Sequence, residues 1–475
     1  MPQSPTVALP KRLPLVIEPE NRDESSLKDA KLLNAYVEKS PNTDETWIFK
    51  RPGLLQTGAT QSGAGLGVYN WNGDVYSIFG TTFYKNGVAI DTVVATGGVY
   101  RFSSSLGSTP RLQLGNGYAA YNWDGVTLSW IAGANFPGNT YADAAVKGIV
   151  YLDGSTFVMD TKAYIHGCDT PTGLNRPDLW TDVLNLLGAQ IEPDRGVFLA
   201  KQLVYVLALK EWSTEVFYNA QNPVGSLTLS PVQGAKLNYG CVSADSVQEI
   251  DGHLIWLSTN RSSSVQVLLV QALKATVVST KAIERLLGEA DFTSVASFTV
   301  KYEGHLFYGV TLKNNNITLV YDLVDKMWAQ WTDANGNYFP CVSATFSNTH
   351  DRILQHESNG KLYDFDQSNF TDDGAVITVE VYTPNFDGGV RRRKQMTAME
   401  FIGDQTPGSF LQVRINDSDY DSNRWTNFRS VDMSVIRPRL VNCGTFVRRA
   451  VHMRHACNTR LRLQAVELQL DIGTL

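Results

Sequence analysis

No stretch of this chain approaches the ~18 consecutive apolar residues that a membrane-spanning helix requires. No charged segment followed by an apolar run stands at Met1-Pro-Gln-Ser-Pro. The expectation is a protein with no membrane anchor, made and kept in the cytosol. Cysteine is scarce: Cys168, Cys241, Cys341, Cys443 and Cys457 are scattered, odd in number and form no CxxC pair. Such spacing argues against a disulfide framework or a zinc site, and for free, mostly buried thiols. Charge is modest, 19% of residues with a net of −6. A globally acidic chain is not built to grip nucleic acid, because affinity for phosphate rests on Lys and Arg. Phosphate-cradling GxxxxGK[ST] loops, GxSxG elbows and HExxH helices are missing, as is the Ser-x-Asp-x-Gly-x-x-Trp turn of sialidase-like propellers. Hence no catalytic, cofactor-binding or metal residue is expected, and the chain does not read as an enzyme.

What is present is a repeat. Turn-forming pairs run straight into short apolar, aromatic segments at Asn72-Gly73, Asn116-Gly117, Asp153-Gly154, Asp251-Gly252, Glu303-Gly304 and Asn359-Gly360. Glycine tolerates the positive φ of tight hairpins, and β-branched or aromatic residues fit a pleated surface. Successive glycines lie 44, 37, 98, 52 and 56 residues apart. The long gap halves if Gln202-Leu203-Val204-Tyr205 is a copy that has lost its glycine. Periods of roughly 40–50 residues mark the blades of β-propellers. The fold class is therefore all-β, with a propeller of about six or seven blades.

Residues 1–50 carry five early prolines and then polar residues, and read as an extended N-terminal arm. Residues 51–372 are the propeller body. From 373 to 475 the repeat stops, and segments such as Val376–Tyr382, Phe410–Ile415 and Leu461–Leu470 alternate apolar with polar residues. Alternation with period two implies strands with one buried face, and so a C-terminal β-sandwich. Two short helices are expected as connectors: one capped by Thr280 with Ile283, Leu286 and Leu287 on one face, and one over 177–187. Charge divides unevenly. Residues 371–475 hold 14 basic residues, 13 of them Arg, against 12 acidic, leaving −8 for the remainder.

Few side chains are candidates for chemistry. His452, His455 and Cys457 resemble a metal cluster, but strand residues three apart face opposite sides. Arg391, Arg392, Arg393 and Lys394 read either as an electrostatic contact with a partner protein or a phosphate backbone, or as a solvated hairpin loop. Tyr69, Trp71, Tyr76, Tyr121, Trp123, Trp256, Trp328 and Trp331 have the surface to stack on sugars or bases, but packing between blades suits their area better. Asp153, Asp251 and Glu303 precede turn glycines, where an acidic side chain serves the backbone rather than catalysis.

Several separated segments carry a resemblance. Asn34-Ala-Tyr36-Val-Glu38 followed by Arg51-Pro52-Gly53-Leu54, then Ala189 to Asp194, Ser213 to Tyr218, Val320-Tyr321-Asp322 with Trp328 and Trp331, and the Tyr382-to-Arg393 region occur in that order. Together they resemble the tail-hub proteins of short-tailed bacteriophages, also called packaged-DNA stabilisation or head-completion proteins. The resemblance implies a non-enzymatic subunit, with no cofactor, of a homo-oligomeric ring, expected to be a hexamer. That ring lies under the portal and its adaptor ring and surrounds the exit path of double-stranded DNA. It carries tail spikes, fibres or a needle (plug) protein. The implied location is the virion tail, assembled in the host cytoplasm. From another class, a carbohydrate-binding or glycan-degrading tail protein remains the alternative.

Overall fold

The computed structural model describes residues 11–15, 30–40, 46–105, 110–138, 144–169, 176–222, 226–347, 352–366, 368–419, 421 and 424–472. Six blades are built from four consecutive antiparallel strands each, over 65–92, 101–130, 150–188, 196–231, 248–277 and 295–330. A seventh takes three strands from 341–366 and completes itself with Gly53–Thr57, which pairs antiparallel with Leu362–Asp366. The two ends of the repeat region thus share one sheet, which removes the open edges that a linear array of blades would leave. Side chains seal the circle. Gln355 of blade 7 accepts from Gly67 N at 2.7 Å and donates to Ile78 O at 2.8 Å, both in blade 1.

The glycine turns sit where the period placed them. Asn72, Asp153, Asp251 and Glu303 have φ between 45° and 55°, each followed by a left-handed glycine. Each of these pairs joins the first strand of a blade to its second. Leu203 is the lost-glycine copy: it holds φ 53° in the Gln202–Tyr205 hairpin of blade 4. The Asn116 and Asn359 copies join second to third strands instead, which explains the irregular spacings around them.

Aromatic rings pack between blades. Tyr69 stacks on Phe102 at 5.4 Å, Trp123 meets Tyr76 and Phe83 at 6.4 and 5.9 Å, and Tyr302 meets Phe365 at 5.5 Å.

The segment read as an arm is extended, but its described part is not free. Lys31–Leu33 pairs with Val379–Tyr382 and, in parallel, with the outer strand of blade 6, fusing that blade into a nine-stranded sheet. Ala35–Lys39, Thr46–Lys50 and Lys11–Arg12 join a second sheet with Lys394–Gly403 and Arg462–Ile472. The two sheets share one apolar core. Met396, Met399, Phe401 and Val466 of one meet Val381, Val413, Val451 and Met453 of the other. The described N-terminal strands therefore belong to the C-terminal layers, because their apolar positions need a buried face that no arm supplies.

Helix Lys281–Gly288 forms as expected, with Ile283 and Leu287 buried and the Thr280 hydroxyl accepting from Ile283 N. The helix expected over 177–187 does not form. The Asp169 carboxylate takes Thr181 N, Asp182 N and the Thr181 hydroxyl, and Leu186–Gly188 becomes the outer strand of blade 3. A side chain offering the backbone these local bonds outcompetes the helix.

Candidate functional site

Four of the segments that carried the resemblance, around Asn34 and Arg51 and over 189–194 and 213–218, meet in two buried polar clusters. The first joins the propeller to the C-terminal layers. Asn34 adopts φ 54°, so its carboxamide turns inward. Its Oδ1 accepts from Thr332 N at 2.8 Å and Arg51 Nε at 3.0 Å, while Nδ2 donates to Thr378 O at 2.9 Å. Arg51 is fully buried and forks onto Asp372 at 3.0 and 2.5 Å, with a further bond to Thr332 O at 2.9 Å. Its guanidinium lies over Phe339 at 4.9 Å and Trp331 at 5.9 Å. Gly53 is required beside it, since a Cβ there would lie 2.2 Å from Thr371 O. An arginine stripped of water needs its carboxylate and every remaining donor answered, and this site does so.

The second cluster fastens the segment that links blades 3 and 4 onto blade 4. Lys210, wholly buried, meets Asp194 at 2.8 Å and Glu215 at 2.6 Å and donates to the carbonyls of Ala189 and Glu192. Asp194 also takes Ser213 N at 3.0 Å, and Glu215 takes Ile191 N at 2.9 Å. The two quoted segments, 189–194 and 213–218, thus meet over one ammonium group that sequence reasoning passed over. Its signal was a single cation closing the apolar run Tyr205-Val-Leu-Ala-Leu-Lys210. A third pair was also missed. His305, after the Glu303-Gly304 turn, bonds Asp322 at 2.6 Å with Asp325 at 3.5 Å. Burial opposes the charge on this ring, but the two carboxylates outweigh it and the pKa is raised.

The propeller axis holds a cavity of about 490 Å³ lined by the first strands of all seven blades. Its wall mixes signs, with Arg101 and Lys201 against Glu249 and Asp251. Beside it, Lys147 bonds both oxygens of Asp245 at 2.8 Å. Burial lowers the Arg101 and Lys147 pKa values and raises that of Glu249. A space of this size suits a small molecule or ordered water, not a nucleic-acid duplex.

The remaining candidates separate by position. Arg391, Arg392 and Arg393 are exposed on a loop, but Lys394 is buried, so the run of four is a run of three plus a support. The Lys394 ammonium donates to the carbonyls of Val390 and Arg392 over the Phe446 ring. His452 and His455 occupy different environments. His452 stacks on Tyr382 at 3.8 Å and accepts from Arg414 Nε at 2.7 Å, whereas His455 meets Ser409 at 3.0 Å. Burial first, then neighbouring cations, pushes them down to about 2 and about 3. Cys457 is free and half-buried, and the other four cysteines are free and buried. Asp153, Asp251 and Glu303 are turn residues that reach across to Asn219, Lys301 and Arg460. Trp71, Trp123, Trp256, Trp328 and Trp331 are buried. Among the described residues no helix is long and apolar enough to cross a membrane.

No curated protein matches the chain. Solved structures resemble it only distantly. The extracellular domain of the putative one-component system BT4673 from B. thetaiotaomicron has 10% identity and a TM-score of 0.40, over 86% of this chain and 58% of that one. BamB from Moraxella catarrhalis has 11% identity and 0.37, over 76% and 99%. BBS1N, solved in complex with ARL6DN, has 10% and 0.41, over 67% and 98%. The family described as "Bacteriophage P22 Gp10, beta-propeller" matches residues 22–367, nearly three-quarters of the chain and the whole circle of blades. The chain belongs to that bacteriophage P22 Gp10 β-propeller family and is a phage structural protein.

Proposed function

We propose that the chain is a non-enzymatic subunit of a tail-hub, or nozzle, ring below the portal and adaptor of a short-tailed phage. The family match over 22–367 carries this reading. In it, six copies enclose the DNA exit channel, help retain the packaged genome and anchor spikes, fibres or a needle in the virion tail, after assembly in the host cytoplasm. The physics is consistent. The polar groups of the Arg51 and Lys210 clusters spend their hydrogen bonds inside the subunit, which stiffens it. A cyclic ring needs a heterologous interface between two rigid, different faces of each copy, and blade flanks supply such faces. The duplex passes between subunits, since the cavity along one propeller axis holds only about 490 Å³. The −8 carried by residues 1–370 would let phosphates slide past the wall rather than stick.

Light scattering of the purified chain mixed with portal and adaptor proteins tests the reading. The expected result is a stoichiometric complex with one closed ring of this chain per adaptor ring. Failure to join a portal–adaptor complex would refute it.

A further inference from the structure

We propose that the Arg391–Arg393 loop, outside the acidic body, is the surface through which this subunit makes a weak, releasable contact with the phosphate backbone of double-stranded DNA. The inference rests on the tail-hub reading for its biological setting, but not for its test.

The loop is shaped in advance. Asp387 Oδ1 accepts from Gly389 N at 2.8 Å, Gly388 and Gly389 hold φ 62° and 75°, and Val390 N returns to Asp387 O at 3.2 Å. From below, the buried Lys394 ammonium ties down the carbonyls of Val390 and Arg392. Lys11 Nζ, on the neighbouring strand, donates to Gly388 O and lines a groove with Phe386 and Asp387. Two cations are thus spent on holding the backbone, and the three arginine side chains project from a fixed base.

These arginines stand apart from the others in the same sheets. Glu400 answers Arg437 and Arg439, Asp419 answers Arg448, Asp421 answers Arg424, and Asp404 answers Arg462. The guanidinium groups of Arg391, Arg392 and Arg393 make no hydrogen bond or ion pair with any described residue. Residues 371–475 carry 14 basic against 12 acidic groups. Arg414 and Arg429, which also lack a carboxylate, donate instead to His452 and to the Val441 and Asn442 carbonyls, so the loop holds the three guanidinium groups with no local acceptor. Three adjacent like charges on a fixed base repel one another, and a polyanion relieves that repulsion. Guanidinium groups match phosphate oxygens two at a time, which a lysine run would not do. A net charge of −6 on the whole chain keeps such a contact weak and local. That suits a surface that holds a duplex from many copies at once and releases it.

The test is fluorescence anisotropy of a labelled duplex of unrelated sequence with the full-length chain, between about 50 and 200 mM salt. With Z of three, log K should fall with log salt at a slope of about −2.7, or roughly 40-fold over this range. The triple variant R391Q/R392Q/R393Q should lose binding at least tenfold at about 50 mM salt and flatten the slope by nearly the whole of that value. A control, R424Q/R448Q, removes two exposed arginines that have local partners and should leave affinity within twofold. Far-UV circular dichroism confirms that each variant folds. No binding by the wild-type chain at low salt, or equal loss in the control, would overturn the proposal. So would equal or tighter binding of poly-glutamate in competition, which would assign the loop to an acidic protein partner. Ring assembly with portal and adaptor is read separately, so failure of DNA binding and failure of the hub reading are distinguishable.

Discussion

Replacing Arg51 with Met tests whether the junction of propeller and C-terminal layers depends on one buried guanidinium. The side chain is fully buried, and its loss would take its donors from the Asp372 carboxylate and Thr332 O and leave Asn34 Oδ1 with Thr332 N alone. Removing one partner of a buried pair costs about 3–5 kcal/mol, because the other charge stays desolvated. Unfolding entropy of about 2.1 cal/mol/K per residue gives roughly 1 kcal/mol per kelvin for a chain of this length. The expected drop in Tm is therefore about 3–5 °C by differential scanning calorimetry. The double variant R51M/D372N removes both charges and should be less destabilised than the two single effects summed, with a coupling of at least about 1 kcal/mol. A Tm change under 1 °C for R51M, or strict additivity in the cycle, would refute the assignment of this cluster as the joint.

Three further outcomes are expected. Lys210→Met strands the Asp194 and Glu215 carboxylates inside blade 4 and should cost at least about 3 kcal/mol by urea titration, whereas Lys236→Met, whose Glu192 pair is part-exposed, should cost about 1 or less. Leu203→Gly relieves a left-handed backbone on an exposed side chain and should raise stability by up to about 1 kcal/mol, a sign that thermal denaturation reads directly. His452 and His455 resist protonation when folded, so the unfolded chain takes up protons first as pH falls below the usual histidine value near 6.5. Stability is full above that pH and should decline by up to about 1.4 kcal/mol per pH unit for each ring, down to about pH 3 for His455. Urea midpoints between pH 7 and 4 should fall less steeply in His455→Gln.

By itself, the sequence determined the architecture of the repeat. Short-range chemistry sets the turns, because the glycine of each Asn-Gly or Asp-Gly pair takes a positive φ. Their spacing therefore reported the blades before any long-range contact was known. Even the copy without glycine, at Leu203, was legible from the period. The alternating C-terminal segments likewise became strands within a few residues of their expected bounds, as for Phe410–Asn416 and Arg462–Ile472.

Only the tertiary structure decided where each buried charge found its partner. Asp372 lies 321 residues from Arg51, and nothing local distinguishes this arginine from a turn residue. It decided that Lys31–Leu33, Ala35–Lys39 and Thr46–Lys50 complete C-terminal sheets rather than form an arm, since strand pairing is blind to sequence separation. It also split a uniform run of four cations. Lys394 falls on a strand facing the core, where its ammonium is spent on loop carbonyls, while Arg391, Arg392 and Arg393 stay in solvent with their charge unspent. Periodicity is a property of neighbours along the chain, whereas desolvation is a property of neighbours in space, and it is desolvation that sorts these side chains into supports and contacts.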